Sequence, residues 1–154
     1  MSAQCGTAAK VPQEITHRRV LKDCHEEFEV FLTAMKALGE KLGPCYFQFG
    51  KFDRSTFRSP GDSLARLIPF LKKLPKEHKF AVEIRNKVWL LPKLADLLRE
   101  HGVALAFMDQ GGTPRPWEMK DKFDLTTSDF TYVRWSADRK VIAEKTTTWD
   151  KVIV

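Results

Sequence analysis

The stretch Phe80-Ala81-Val82-Glu83-Ile84-Arg85 decides how the rest of the chain is read. It is short, apolar and closed by a carboxylate and a guanidinium. Side chains alternate along a strand, so Val82 and Ile84 share one face while Glu83 and Arg85 share the other. A strand that is apolar on one side, and charged at its carboxyl end on the other, belongs in an α/β sheet. Its charged end is where such sheets hold their ligands.

The segments around it repeat one unit. Downstream, residues 91–101 have Leu94, Leu97 and Leu98 on one helical face, Pro92 in the first turn and Gly102 past the end. Val103–Met108 is an apolar strand that ends at Asp109. The span 110–130 reads as loop, 131–135 as a strand, and 138–154 as a mixed tail. Upstream, residues 63–74 predict a helix, kinked or late-starting because of Pro69. Residues 50–62 read as a polar loop and 45–49 as a strand. Phe28, Phe31, Met35, Leu38 and Leu42 recur at three- and four-residue spacing, which predicts a helix over 25–42. Asp23 is its expected N-cap and Gly43-Pro44 its stop. Residues 10–24 read as a loop after Pro12, and 1–9 as a weakly structured start or a poor strand.

Strands alternating with amphipathic helices indicate a parallel sheet with right-handed crossovers. Two architectures fit, an open doubly wound sheet or part of a (β/α)₈ barrel. An intact barrel needs about 250 residues and the chain has 154, so length alone favours the open sheet.

Three strands divide their faces in the same way. Tyr46 and Gln48 lie opposite Cys45, Phe47 and Phe49; Glu83 and Arg85 lie opposite Val82 and Ile84; Tyr132 and Arg134 lie opposite Val133 and Trp135. Asp109 adds an acid at the end of a fourth strand. Polar groups converging at strand carboxyl ends are the layout of a barrel mouth. The same residues would also serve as internal ion pairs, Glu83 with Arg134 or Asp109 with Arg85.

Composition narrows the setting. Hydrophobic residues make up 43%, ordinary for a globular domain, and the net charge of +6 suits an anionic partner or a lysine-rich surface. The cations are spread out, with no basic tract. Cys5, Cys24 and Cys45 are odd in number and far apart, which argues against a disulfide framework or zinc site and makes a reducing cytoplasm the default. No apolar run approaches the roughly 20 residues of a membrane-spanning helix, so no membrane association is expected.

KVPQEITH (10–17), LGEKLGPCYFQF (38–49), FAVEIRNKVW (80–89), LREHGVALAFMD (98–109) and SDFTYVRW (128–135) together resemble the YecE-like family, domain of unknown function 72. The resemblance implies the central part of a TIM-type barrel over 10–154, about five parallel strands with flanking helices, in a bacterial or archaeal protein with no established activity. It also implies a truncated domain, lacking two strand–helix units before this segment and a helix and strand after it. The polar residues it carries over are Lys10, Glu14, His17, Gln48, Glu83, Arg85, Trp89, Asp109 and Arg134. Many members have histidine then proline after the Glu-x-Arg unit; Asn86 and Lys87 stand there in this chain, which removes a titratable group.

Three functional readings follow. In the first, Lys10, Arg85 and Arg134 hold the anion of a phosphate-bearing small molecule or a nucleic acid by charge and bidentate hydrogen bonds. Glu83 orients the arginines, and Glu14, Gln48 and Trp89 complete the ligand contacts. Trp89 and Trp117 would offer a base a stacking surface, unless they simply pack. In the second, the protein is a hydrolase or lyase, with Glu83 or Asp109 as base and His17 as acid. A metal-assisted version would need two or three of Glu14, His17, Glu83 and Asp109 to converge, but no HExxH-like spacing supports it, and no metal ligand is assigned. His25, His78 and His101 read as surface residues. No glycine-rich phosphate loop or dinucleotide fingerprint is present, so the cofactor is left unknown. In the third reading the chain is an inactive fragment that self-associates through open strand edges.

Overall fold

The computed structural model describes residues 6–109, 112–135 and 143–144. Cys5, Gly111 and nearly all of the tail from 138 onward lie outside the described residues. Five strands carry the fold: β1 (Thr7–Lys10), β2 (Leu42–Gln48), β3 (Phe80–Glu83), β4 (Ala104–Asp109) and β5 (Tyr132–Trp135). They pair in chain order, and every pairing is parallel. This order decides between the two architectures. A doubly wound sheet reverses its strand order at a switch point, whereas this sheet never reverses. The crossovers therefore wind in one sense, and the helices line one side of a curled sheet. The chain is a partial TIM-type barrel with flanking helices α1 (His25–Met35), α2 (Pro60–Leu71) and α3 (Pro92–Glu100).

The two sheet faces differ as the alternation predicts. Cys45, Phe47, Phe80, Val82 and Leu105 turn outward into the main core under the helices, joined by Phe28, Leu67 and Leu98. The inward face carries a smaller cluster of Ala81, Ala104 and Ala106, covered by Tyr46, Phe130 and Tyr132. On β5 the outward Val133 and Trp135 remain 40% and 78% exposed, so that face is not packed like the others.

Several boundaries differ from the sequence expectation. Helix α1 stops at Met35, and a 3₁₀ segment follows to Lys41, broken at Gly39 with φ +49°. Gly43-Pro44 is no helix stop. The β1–β2 register shifts there, between Thr7↔Leu42 and Ala9↔Cys45, and an irregular ladder is where a strand tolerates a residue with no N–H. Asp23 does not cap α1. Cys24 occupies the N-cap position, while Val20, Leu21 and Asp23 take the left-handed φ values +48°, +62° and +46°.

Helix α2 starts earlier than expected, at Pro60. Ser59 accepts from the Asp62 N–H while the Asp62 carboxylate accepts from the Ser59 N–H, a reciprocal cap. It runs through Pro69, which is exposed and near the end of the helix, so the missing bond falls where water reaches the backbone. The expected loops contain a π-helical turn, Glu14–Arg18, and a short helix α4 (Pro116–Met119).

Candidate functional site

The site grows from Glu83, the last residue of β3. Its side chain faces inward and is 1% exposed. A carboxylate taken from water must be met by donors, and each of its oxygens is. Oε1 accepts from Gln48 Nε2 at 2.9 Å and from Arg85 Nε at 3.3 Å, and Oε2 accepts from Arg134 Nη1 at 2.5 Å. Gln48 passes the network on, its Oε1 accepting from Lys10 Nζ at 2.5 Å. Residues from β1, β2, β3 and β5 thus meet in one layer at the carboxyl end of the sheet. Arg85 lies two residues beyond the end of β3 and folds back to Glu83.

Alanines on β4 make this layer geometrically attainable. Arg134 on β5 must cross β4 to reach Glu83 on β3. Arg134 itself stands beside the buried Met108, and the residue before it on that face, beside Tyr132, is Ala106, whose methyl projects little into the path toward Glu83. Beneath the arginine, Tyr46 and Tyr132 approach with ring centroids 5.1 Å apart, spanning the alanine floor. The Arg134 guanidinium sits 5.2 Å from the Tyr46 ring centre, within cation–π range.

His17 borders the layer. The π-helical turn, in which the Arg19 N–H reaches back to the Glu14 carbonyl at 2.8 Å, buries Ile15 and Thr16. Thr16 Oγ1 engages His17 Nδ1 at 2.8 Å, so Nε2 is the ring nitrogen left for a ligand. Gly50 accommodates the ring, since a Cβ there would lie 3.2 Å from His17 Cδ2. Desolvation, then the charges of Lys10 and Arg85, lowers the His17 pKa below its ordinary value, which favours the neutral ring. Lys10 is also shifted down, by desolvation and then by Arg134 and Arg85, with Glu83 opposing.

The other candidates lie apart from this cluster. Asp109 follows the outward Leu105 and Phe107 in alternation and pairs with Arg115 at 3.1 Å rather than with Arg85. Glu14 pairs with Arg18 at 3.1 Å and Arg19 at 3.5 Å. Trp89 is buried, stacked on Phe52 at 5.8 Å and edge-on to Phe57 at 5.1 Å, so it packs rather than offering a face. Trp117 is 52% exposed beneath the Arg115 guanidinium. His101 Nδ1 contacts the Leu97 carbonyl at a helix end, as its position suggests. Asn86 clamps the Phe52 backbone, donating to its carbonyl at 2.9 Å and accepting from its N–H at 3.1 Å. Thr16, Gly50 and Ala106 are contributors that the residue patterns do not flag. Only the Ala-x-Ala spacing of β4 carried a signal, that of a small-residue floor.

A singly wound parallel sheet with a charged layer at its carboxyl ends defines this as a TIM-type α/β protein. The family described as "Protein of unknown function DUF72" matches residues 4–152, and the chain belongs to that family, for which YecE-like is another name. A solved structure, that of a DUF72 family protein from Thermotoga maritima MSB8, is similar with a TM-score of 0.61 and 26% identity. The match covers 90% of this chain and 52% of that one, so the chain spans about half the length of the structure it resembles. Among curated proteins nothing matches. No helix among the described residues is long and apolar enough to cross a membrane.

Proposed function

We propose that the layer built on Glu83 binds an anionic, phosphate-bearing ligand, either a small molecule or a nucleic acid. The observation that carries this reading is that one buried carboxylate gathers three cations. Arg85 and Arg134 bind it directly, and Lys10 reaches it through Gln48. Each arginine makes a single contact with Glu83 and keeps about 30% of its side chain exposed, 31% for Arg85 and 29% for Arg134. Their remaining N–H groups are available to a ligand at the mouth. Guanidinium groups suit this role because they present paired donors to tetrahedral oxyanions.

Glu83 acts as the fixed anchor that aims the two arginines. With both oxygens occupied by donors it has little capacity left to accept a substrate proton, which favours binding over acid–base chemistry at this residue. His17, whose Nε2 is unengaged, contributes a hydrogen bond. Thermal denaturation with inorganic phosphate or a short oligonucleotide tests the reading. Phosphate-bearing ligands should raise Tm, and added sodium chloride should diminish the effect. A Tm indifferent to every phosphate-bearing ligand contradicts it.

A further inference from the structure

The charge balance of this layer narrows the ligand class. Lys10, Arg85 and Arg134 face one carboxylate, so two positive charges remain uncompensated within the layer. Glu83 carries a single negative charge, shared between Oε1, which accepts from Gln48 and Arg85, and Oε2, which accepts from Arg134. Gln48 connects Lys10 to Glu83 through a neutral amide and adds no charge. At Lys10 the ammonium is disfavoured first by burial and then by Arg134 and Arg85, with Glu83 opposing. The His17 pKa is lowered first by desolvation and then by Lys10 and Arg85, two of the same cations.

We infer that the site selects a doubly charged anion, the terminal phosphate of a phosphomonoester, over the singly charged phosphate of a diester. This rests on the anion-binding reading above and adds the charge state and chemical class of the ligand. A monoester phosphate presents three terminal oxygens bearing two charges, which match three separate cations and the surplus of two. A diester presents two free oxygens sharing one charge, and its second ester group would occupy the space of a third contact. The preferred ligand is therefore a sugar phosphate, a nucleotide monophosphate or the phosphorylated end of a strand. The interior of a nucleic-acid backbone is disfavoured.

Calorimetric titration at pH 8 with methyl phosphate and dimethyl phosphate tests this. The monoester is a dianion at that pH, its second ionisation lying near 6. The expected result is at least tenfold tighter binding of methyl phosphate. In Lys10→Met, which leaves one surplus charge, the preference should fall to about threefold or less. Lys10→Gln serves as the second variant, and circular dichroism establishes that each is folded. Equal affinity for the two esters, or tighter binding of the diester, overturns the dianion inference while leaving anion binding intact. An unchanged preference in both folded Lys10 variants also overturns it. Binding of neither ester overturns the anion-binding reading together with this one.

Discussion

Glu83 is the residue on which the site turns, and its replacement has a sign that can be stated. Glu83→Ala removes a buried acceptor from two arginines and an amide. Taking one partner from a buried ion pair costs about 3–5 kcal/mol. Both guanidinium groups here retain contact with water, which places the loss at about 3 kcal/mol, measurable by urea denaturation. Glu83→Gln should cost less, because it keeps a hydrogen-bonding oxygen. His17 gives a pH dependence. Folding lowers its pKa from 6.5, so at acid pH the unfolded chain binds more protons than the folded one. Its contribution to stability is therefore intact above about 6.5 and is lost as pH falls through the imidazole range. Denaturation midpoints at pH 8 and pH 5 should differ less in His17→Asn than in the parent. At this scale the sequence was informative wherever the two-residue period of a strand applied. Gln48, Glu83 and Arg134 were each placed on one strand face by that period alone, while Arg85 lies past the end of β3 and reaches Glu83 by folding back. Asp109 fails by the same rule: Ala104 and Ala106 point inward, so the odd-numbered residues of β4 point outward. Glu14 was beyond reach, because its partners Arg18 and Arg19 are set by a π-helical turn that nothing in the local sequence announces.

Among the elements, α2 and β4 make the sharpest predictions. The reciprocal cap at Ser59 and Asp62 fixes the start of α2. Ser59→Ala should lower stability by about 1 kcal/mol, read as a lower urea midpoint with an unchanged slope. The Ser-x-x-Asp spacing was legible, but the intervening Pro60-Gly61 resembles a turn and hides it. The left-handed backbone at Val20, Leu21 and Asp23 was not legible at all, since neither Val nor Leu favours that conformation. Gly102, with φ +64° just past α3, was readable because a helix end needs such a residue. On β4, Ala106 is the small residue beside Tyr132, next to the crossing between Arg134 and Glu83. Ala106→Leu would fill that path and force the arginine and the tyrosine pair to move. Overpacking of this kind costs about 1–3 kcal/mol. It should also weaken phosphate binding, whereas Ala106→Gly should leave binding near the parent value.

At the scale of the whole molecule, the sequence left two architectures standing because periodicity records strand faces and not strand order. Only the pairing β1 to β5 in chain order separates a barrel segment from a doubly wound sheet. That order brings polar ends from four strands to one mouth and leaves the opposite face of the sheet for an apolar core. Cys45 reports on the integrity of this core. Burial pushes its thiol up to about 11, and its side chain is fully covered. In a chain carrying Cys5→Ser and Cys24→Ser, labelling of Cys45 by a thiol reagent at pH 8 should proceed only as fast as the protein opens and should accelerate sharply in urea. The claim that matters most is that Lys10, Arg85 and Arg134 form one anion-binding mouth, and His17 is positioned to sense it. The decisive measurement is the His17 imidazole pKa by NMR, with and without saturating inorganic phosphate. The value should be depressed in the free protein and should rise when phosphate offsets the charges of Lys10 and Arg85. A His17 pKa that is the same with and without phosphate would contradict the account.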